Sequence, residues 1–567
     1  MAYDVLLKNG RIVDGSGMPS FHGDVAIKDG KIAEIGKLSG AASQTVDVGG
    51  QVIAPGFIDN HCHYDAQVTW DPLCTFSCDH GATSVVIGNC SLSLAPVRKG
   101  KEKRMAEFLS YVEAIPMEVL GTVEVDWESF PQYMERLDEN LGVNVGTLMG
   151  HTAIRYYVMD EDCQNRAATD DELKQMQQIV REGMEAGALG LSVSRNKGHY
   201  DPQGVHIPAL WADEKEIFAL AGVLGEMGTG ILQSGGGREA EMASGLMARL
   251  AEATGRPVVY NNLGQSVRRP GQWKDHMDRV NETVSQGIRA YPLCSPNRTT
   301  QTFNMSNSQL FRGSPTWHPI LLASDEEKLK AYADPDVRRK LHDEMVEWKV
   351  EIPGGTISKE WWKYIWVHEP VLEKNKWMIE KSLEEVAQAQ GKGIIDAFLD
   401  LVVEEKLATV FMQAENNVEE EAMRQILTYP NALIGLSDGG AHVQFHGGYG
   451  FSTRLLSEWV REKQAMTLEA AVRRLTFDSA SVFGLYDRGM LRPGLKADVT
   501  VFDPDTVKPL PEYVVHDFPA GGWRFKEPAQ GIYCTFVNGQ MLIKEGNHTG
   551  NLPGRVLRNA RYEMNRA

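Results

Sequence analysis

The chain of 567 residues has few cysteines, no long apolar run and no excess of positive charge. Its seven cysteines are scattered and too few for a disulfide framework, which favours a reduced, cytoplasmic protein. No apolar run reaches the about 18–20 residues that a membrane helix needs, and the N-terminus lacks a signal-peptide pattern. The formal net charge of −18 argues against nucleic-acid and membrane partners.

Short segments with alternating apolar residues occur at both ends of the chain. Asn-Gly pairs at 9–10 and 538–539 are typical of tight turns between antiparallel strands. This texture predicts one composite β-sandwich domain that is built from residues 1–56 and 486–546. Two separate β meanders are the alternative, and residues 547–567 are predicted to form a C-terminal tail.

Between the two ends, residues 57–485 alternate apolar runs with helical patterns. The eight runs lie at 56–63, 83–90, 144–152, 188–194, 228–235, 257–262, 287–293 and 432–440. Eight buried strands separated by helices predict the α/β fold class and a (β/α)8 TIM barrel. An open doubly wound sheet is the alternative, but the glycine-rich nucleotide loop that it usually carries is missing.

A segment at about 300–425 is too long for one crossover and contains six of the twelve tryptophans. We interpret it as a helical insertion in the barrel. The pattern leaves open whether it covers the barrel mouth, forms a dimer interface or is a plain packing subdomain.

The first apolar run ends in His61-Cys62-His63. Side chains two positions apart on a strand lie on the same face, so both imidazoles can reach one ion at the C-terminal end of a barrel. Neutral imidazoles suit Zn²⁺ and related metals. Asp65 follows and either contacts a metal-binding residue or faces solvent.

Three further predicted strand ends carry residues that are candidates for metal binding or catalysis. Cys90 ends the second run and is either a thiolate ligand or an inert buried cysteine. His151 ends the third and is a pocket residue or a hydrogen-bonded core histidine. Asp438 ends the eighth and is an acid/base or a helix N-cap. His442 and His446 follow it as candidates for lining the pocket.

Four segments together resemble the amidohydrolase superfamily, and within it the D-aminoacylase (N-acyl-D-amino-acid deacylase) group. They are APGFIDNHCHYDAQ, GNCSLSLAP, IGLSDGGAH and LRPGLKADVTVFDP. The resemblance implies a barrel with a composite β domain. It also implies that His61, His63, Cys90 and Asp438 bind or serve a metal, with Asp438 as the catalytic acid/base. The expected cofactor is one Zn²⁺ ion, with another divalent metal as the alternative.

The sequence departs from this group at the fifth and sixth strands, where the group supplies two histidines. Here these positions read Gln233-Ser234 and Asn261-Asn262, and a lysine that holds the substrate carboxylate is missing as well. Tyr291 of the seventh strand is retained. We therefore expect a mononuclear site, with substrate contacts drawn from five residues: His151, Tyr291, Asn262, Gln233 and His442.

The sequence also offers other candidates for binding a metal or an anion. Lys197 is an alternative carbamylated ligand, and Arg195, Arg238 and Arg298 are alternative anion partners. The resulting hypothesis is a metal-dependent hydrolase of a small-molecule amide, most like an N-acyl-D-amino-acid deacylase. The alternatives are a hydrolase of a cyclic amide, lactam, urea or hydantoin-like ring, and a metal-poor non-catalytic homologue. Analogy with large barrels predicts a homo-oligomer.

Overall fold

The computed structural model describes residues 2–236, 245–306, 308, 310–350, 357–444 and 447–565. The chain divides into two compact units. The first contains Met1–Leu263, Lys274–Asn297 and Arg424–Ala567, and the second contains Gly264–Trp273 and Arg298–Met423. None of the described helices combines the length and apolar character needed to cross a membrane.

Eight parallel strands in the first unit form the predicted barrel sheet. In chain order they are Phe57–Asp59, Ala82–Ile87, Asn144–Gly150, Gly190–Ser194, Ile231–Gly235, Val258–Tyr260, Ala290–Cys294 and Leu433–Ile434. Each strand pairs with the next in this order. Each coincides with one of the eight apolar runs, so the predicted fold class is confirmed.

The first and eighth barrel strands meet through side-chain and loop hydrogen bonds. The Asn60 amide donates to the carbonyl oxygen of Ile434 at 3.0 Å, and the backbone N–H of Asp438 donates to the carbonyl oxygen of His61 at 3.3 Å. A Cβ at Gly435 would lie 1.9 Å from the Asn60 side chain, so glycine is required there. This closure brings the first and last strand ends together.

Helices follow most barrel strands and cover the sheet. In the first unit they include Glu102–Glu113, Met117–Leu120, Phe130–Leu137, His151–Met159, Asp170–Glu185, Glu214–Met227, Leu246–Thr254, Phe451–Arg454, Leu468–Leu475, Phe477–Phe483 and Ala560–Met564. The helix Gln272–Ser285 belongs to the first unit from Lys274 onward. Asp170–Glu185 begins with a capping box in which Thr169 and Glu172 bond each other's backbone N–H. The segment EAEMASGLMARLAEATG at 239–255 also predicts a helix; residues 239–244 lie outside the described residues, and the described helix is Leu246–Thr254.

Both ends of the chain contribute to one nine-stranded sheet. Its strands are Tyr3–Ile12, Phe21–Lys28, Lys31–Gly36, Ala42–Asp47, Val52–Pro55, Val499–Phe502, Ile532–Val537, Gln540–Lys544 and Asn547–His548. The two halves join where Ile53 pairs with Val501 in an antiparallel ladder. Asp498 connects this sheet to the barrel, since it accepts hydrogen bonds from Asn144 and Asn538.

The C-terminal residues that the sequence predicts as a tail pair with the barrel and form hydrogen bonds to it. Val556–Leu557 pairs in parallel with Val145 and Gly146 of the third barrel strand. The Asn559 amide donates to the carbonyl oxygens of Met184 and Ala188. These contacts could not be predicted from the sequence, because a two-residue strand has no measurable periodicity.

The second unit has its own core. Its helices are Trp317–Leu321, Asp325–Ala333, Pro335–Met345, Leu383–Gln390 and Ile394–Glu404, and its three-stranded sheet contains Thr299–Phe303, Val410–Asn416 and Ile365–Glu369. Trp317 and Trp361 are fully buried and lie against Phe311 and Phe398. At least these two tryptophans of the insertion therefore act in packing.

Candidate metal centre

The strand ends of the barrel bring four of the predicted side chains together. His61 Nε2 lies 3.4 Å from Asp438 Oδ1 and 3.7 Å from Cys90 Sγ. His63 Nε2 lies 3.7 Å from the same Asp438 oxygen. His61, His63 and Cys90 each place one ligand atom within 4.8 Å of the others.

Backbone conformation at these strand ends is unusual for residues with side chains. Cys90, Ser91, Asp438 and His442 have φ angles of 55°, 70°, 53° and 51°. Left-handed backbone is uncommon outside glycine and tends to cluster at functional sites. Here it turns the chain sharply where the second and eighth strands end, and so directs the Cys90 and Asp438 side chains toward the histidines.

The loop that carries Asp438 is fixed by a buried network. Asp59 accepts hydrogen bonds from the hydroxyls of Ser77 and Ser437 at 2.7 and 2.6 Å. Ser437 in turn accepts from the Gly439 backbone N–H at 2.8 Å. The Asp438 side chain itself remains 34% exposed, whereas the histidines are buried. The carboxylate is therefore both held in place and open to a ligand.

Cys90 is held from the fifth strand. Its backbone N–H donates to Gln233 Oε1 at 3.0 Å. A Cβ at Gly235 would lie 2.7 Å from the Cys90 sulfur, so only glycine leaves room for the thiol. The Gln233 side chain therefore helps to fix the position of Cys90.

The pKa values of three of these groups depart strongly from their ordinary values. Burial lowers the pKa of His61 to about 3, so its imidazole is neutral and able to bind a metal. Burial works against ionisation of Asp438, but the neighbouring His63 imidazole, 3.7 Å away, holds the pKa of this carboxyl well below the usual range. Burial raises the pKa of the Cys90 thiol to about 11.

The separations fit one tetrahedral metal ion. Zinc–nitrogen and zinc–oxygen bonds of about 2.0–2.2 Å and a zinc–sulfur bond of about 2.3 Å imply donor–donor distances of about 3.3–3.6 Å. The separations of 3.4 and 3.7 Å found for three of the donor pairs are close to these values. Two imidazoles, a thiol and a carboxylate are also donors that zinc prefers. The residues present therefore fit the metal that the sequence implied.

Metal affinity should depend on pH through Cys90. Because the thiol has a pKa of about 11, binding it as a thiolate releases one proton. We expect this group to raise the apparent zinc affinity about tenfold per pH unit over the neutral range. Zinc titrations of wild type and Cys90→Ser at several pH values measure the effect. If zinc affinity and its dependence on pH are the same in Cys90→Ser as in wild type, Cys90 is a buried cysteine and not a ligand.

His151 occupies a buried ion network. Its Nε2 lies 2.7 Å from Glu216 Oε1, and the other oxygen of Glu216 accepts from Arg155. All three side chains are at most 2% exposed. These contacts are the ones expected of a core histidine, and substrate binding by His151 stays a prediction.

This network yields a separate expectation for stability. Glu216→Gln leaves the Arg155 guanidinium buried without its carboxylate, so the free energy of unfolding should fall by about 3–5 kcal/mol. Denaturant titration of the metal-free protein measures this change. Glu214→Gln, at the exposed pair with Arg249, is the matched control and should cost under about 1 kcal/mol. A similar small loss for Glu216→Gln would contradict the importance of the network.

At the sixth strand, the structure places Asn261 next to the metal donors. Asn261 Nδ2 lies 3.4 Å from His61 Nε2 and 3.9 Å from Cys90 Sγ, and Gln233 donates to its oxygen at 3.5 Å. Asn262, which the sequence favoured for substrate binding, is exposed. The two asparagines could not be ranked from sequence because the strand ends at Tyr260 and the turn decides which one faces inward.

The remaining candidates are dispersed. Tyr291 is half-buried against the barrel core, and the His442 imidazole is 37% exposed near the site. Lys197 and Arg298 are exposed, Arg195 is half-buried, and Arg238 and His446 lie outside the described residues. Asp65 is fully buried, so the solvent-facing alternative is wrong, and burial raises its pKa to about 7.

Sequence reasoning missed two residues near the centre. Glu113 ends the helix Glu102–Glu113 and lies 3.5 Å from His63 Nδ1. His199 bonds Ser194 and Asn196, and its pKa falls to about 4 through burial and the charges of His63 and His442. Neither belongs to a motif or to a strand end, so only their location reveals them.

Comparisons with known proteins identify the family of this chain. The model of the amidohydrolase family (Amidohydro_3) matches residues 44–542. D-aminoacylase from Alcaligenes xylosoxydans xylosoxydans is 30% identical over 98% of this chain and 97% of its own. The chain therefore belongs to the amidohydrolase family, and it is a hydrolase that acts on carbon–nitrogen bonds other than peptide bonds.

Two further similarities extend to almost the full length. N-acyl-D-glutamate deacylase from the same organism is 28% identical over 98% of this chain and 96% of its own. The crystal structure of N-acyl-D-glutamate deacylase from Bordetella bronchiseptica, complexed with zinc and a phosphonate inhibitor, superposes with a TM-score of 0.65. It is 25% identical and covers 98% of this chain and 100% of that chain.

Proposed function

We propose that this protein is a metal-dependent deacylase of N-acyl-D-amino acids that works with one zinc ion. The observation that carries the proposal is the convergence of His61, His63 and Cys90 as donors for one ion, with the Asp438 carboxylate beside both imidazoles. The deacylase relatives support the substrate class. Another divalent metal is the alternative cofactor.

The residues divide the chemistry between them. His61, His63 and Cys90 hold the metal, which supplies an acidified water and polarises the scissile carbonyl when it is bound. Asp438 accepts the proton of the attacking water, because its low pKa keeps it ionised. The same carboxyl then donates that proton to the departing amine nitrogen. Its exposed position allows contact with both groups.

A single ion is favoured by the amides at the fifth and sixth strands. Gln233 and Asn261 bond each other and surround Cys90, in the place where the D-aminoacylase group carries histidines. Neutral amides are weak zinc ligands compared with imidazole or thiolate. We therefore infer that wild-type protein binds about one equivalent of metal.

The test combines metal analysis with a substrate panel. Protein purified without chelator is assayed for bound metal and for hydrolysis of N-acyl-D-amino acids, N-acyl-L-amino acids and cyclic amides. Turnover of the D-amides with about one zinc per chain supports the proposal. Preferential turnover of cyclic amides would replace the substrate class. Metal-free protein without any turnover would favour a non-catalytic homologue.

The proposal extends to a cytoplasmic homo-oligomer. All seven cysteines are free and buried, which suits a reducing compartment. Oligomer formation rests on analogy with other large barrels alone. Light scattering of the purified protein measures the oligomeric state.

A further inference from the structure

The carboxylate of Glu113 lies behind the metal centre, on the far side of the His63 ring from Asp438. Glu113 Oε1 is 3.5 Å from His63 Nδ1, while Nε2 of the same ring is 3.7 Å from Asp438 Oδ1. The two ring nitrogens therefore have different tasks. Nε2 faces the ion position, and Nδ1 faces the carboxylate.

Glu113 is an unusual residue to bury. It is 3% exposed, and its described ion-pair partners are the imidazoles of His63 and His442, the latter at 3.9 Å from Oε2. A buried carboxylate is costly unless it is paired. Packing of the helix Glu102–Glu113 is already provided by Met105, Phe108 and Leu109 on its buried face, so the helix does not need a carboxylate for its core.

A backbone hydrogen bond links the end of this helix to the loop that follows the eighth barrel strand. The N–H of His442 donates to the Glu113 carbonyl oxygen at 2.6 Å. Ala114 ends the helix in the left-handed conformation, directly after Glu113. The end of the helix is thus attached to the loop that also carries Asp438, four residues before His442.

We propose that Glu113 is a positioning residue that orients His63 as a metal ligand. Its carboxylate keeps the proton on Nδ1, which leaves the Nε2 lone pair directed at the ion. Carboxylates commonly orient metal-binding histidines in this way. The contact of 3.5 Å is electrostatic in this structure, and such contacts often shorten when the site is complete. This inference rests on the metal centre of the proposed function.

The test measures metal binding directly. Glu113→Gln removes the charge and keeps the size, so we expect zinc affinity to fall about 10–100-fold. In cobalt-substituted protein, the visible spectrum should change because the His63 ring is less constrained. We expect kcat of the zinc-saturated variant to fall with little change in KM. Glu113→Asp keeps the charge and should recover part of the affinity.

Controls separate positioning from stability. Glu107→Gln on the same helix removes one of several partners of Arg104 and should leave zinc affinity and the cobalt spectrum unchanged. If Glu113→Gln binds zinc like wild type and changes only thermal unfolding, Glu113 is a structural residue and this inference is wrong. The proposed function then stands, because wild type still binds metal. If wild type binds no metal, both proposals fail together.

Discussion

Asp438→Asn is expected to lower kcat about 100- to 10,000-fold, the range that loss of a general acid/base produces. The amide cannot accept the proton of the attacking water or protonate the leaving nitrogen. His61, His63 and Cys90 remain in the variant, so most of the bound metal should be retained. Steady-state kinetics and metal analysis of the same sample measure both effects.

The control for Asp438 is Asp505→Asn, at an exposed turn of the composite β domain. It should leave kcat unchanged. Near-normal turnover by Asp438→Asn would exclude this residue as the acid/base. Loss of metal together with turnover would instead assign Asp438 a mainly ligand role, which its distances of 3.4 and 3.7 Å to the two histidines would also permit.

His61→Ala is expected to remove the bound metal and, with it, nearly all turnover. Nε2 of His61 lies close to both Asp438 and Cys90. The variant therefore lacks the metal donor at the centre of the group. Removing a residue that only orients a metal ligand lowers metal affinity about 10–100-fold, and we expect the loss of His61 itself to lower zinc affinity by more. Metal analysis after desalting and zinc titration of the apo variant measure it.

His22→Ala serves as the matched histidine control, because His22 is exposed on a strand of the composite β domain. Its metal content and kcat should equal those of wild type. If His61→Ala retains one equivalent of metal and normal turnover, the centre described here does not bind the catalytic ion. A zinc-dependent recovery of activity at high metal concentration would agree with a weakened site.

Much of the barrel could be predicted because parallel strands buried on both faces have a simple signature. Ala82–Ile87 and Asn144–Gly150 are buried along their whole length, and such strands appear in sequence as short, nearly continuous apolar runs. Position at the end of such a run also selected His61, His63, Cys90 and Asp438. Their side chains meet because all parallel strands end at the same side of a barrel.

The weaker predictions concern residues beyond the regular strands. The choice between Asn261 and Asn262 depends on a turn, and a one-residue shift exchanges the inward and outward side chains. His151 follows a strand end as well, but the first residue of a helix can face the core, where Glu216 pairs with it. A strand-end rule has no means of separating these cases.

The sequence by itself determined the barrel and predicted the joined ends of the chain and the donor set, because periodicity is a local property of a chain. The tertiary structure alone decided the surroundings of those donors. Glu113 is 50 residues from His63 and outside any pattern, yet its carboxylate lies 3.5 Å from the ring. Gln233 on the fifth strand and Asn261 just after the sixth likewise reach Cys90 only through the tertiary fold. Long-range packing sets such contacts, and no short segment encodes them.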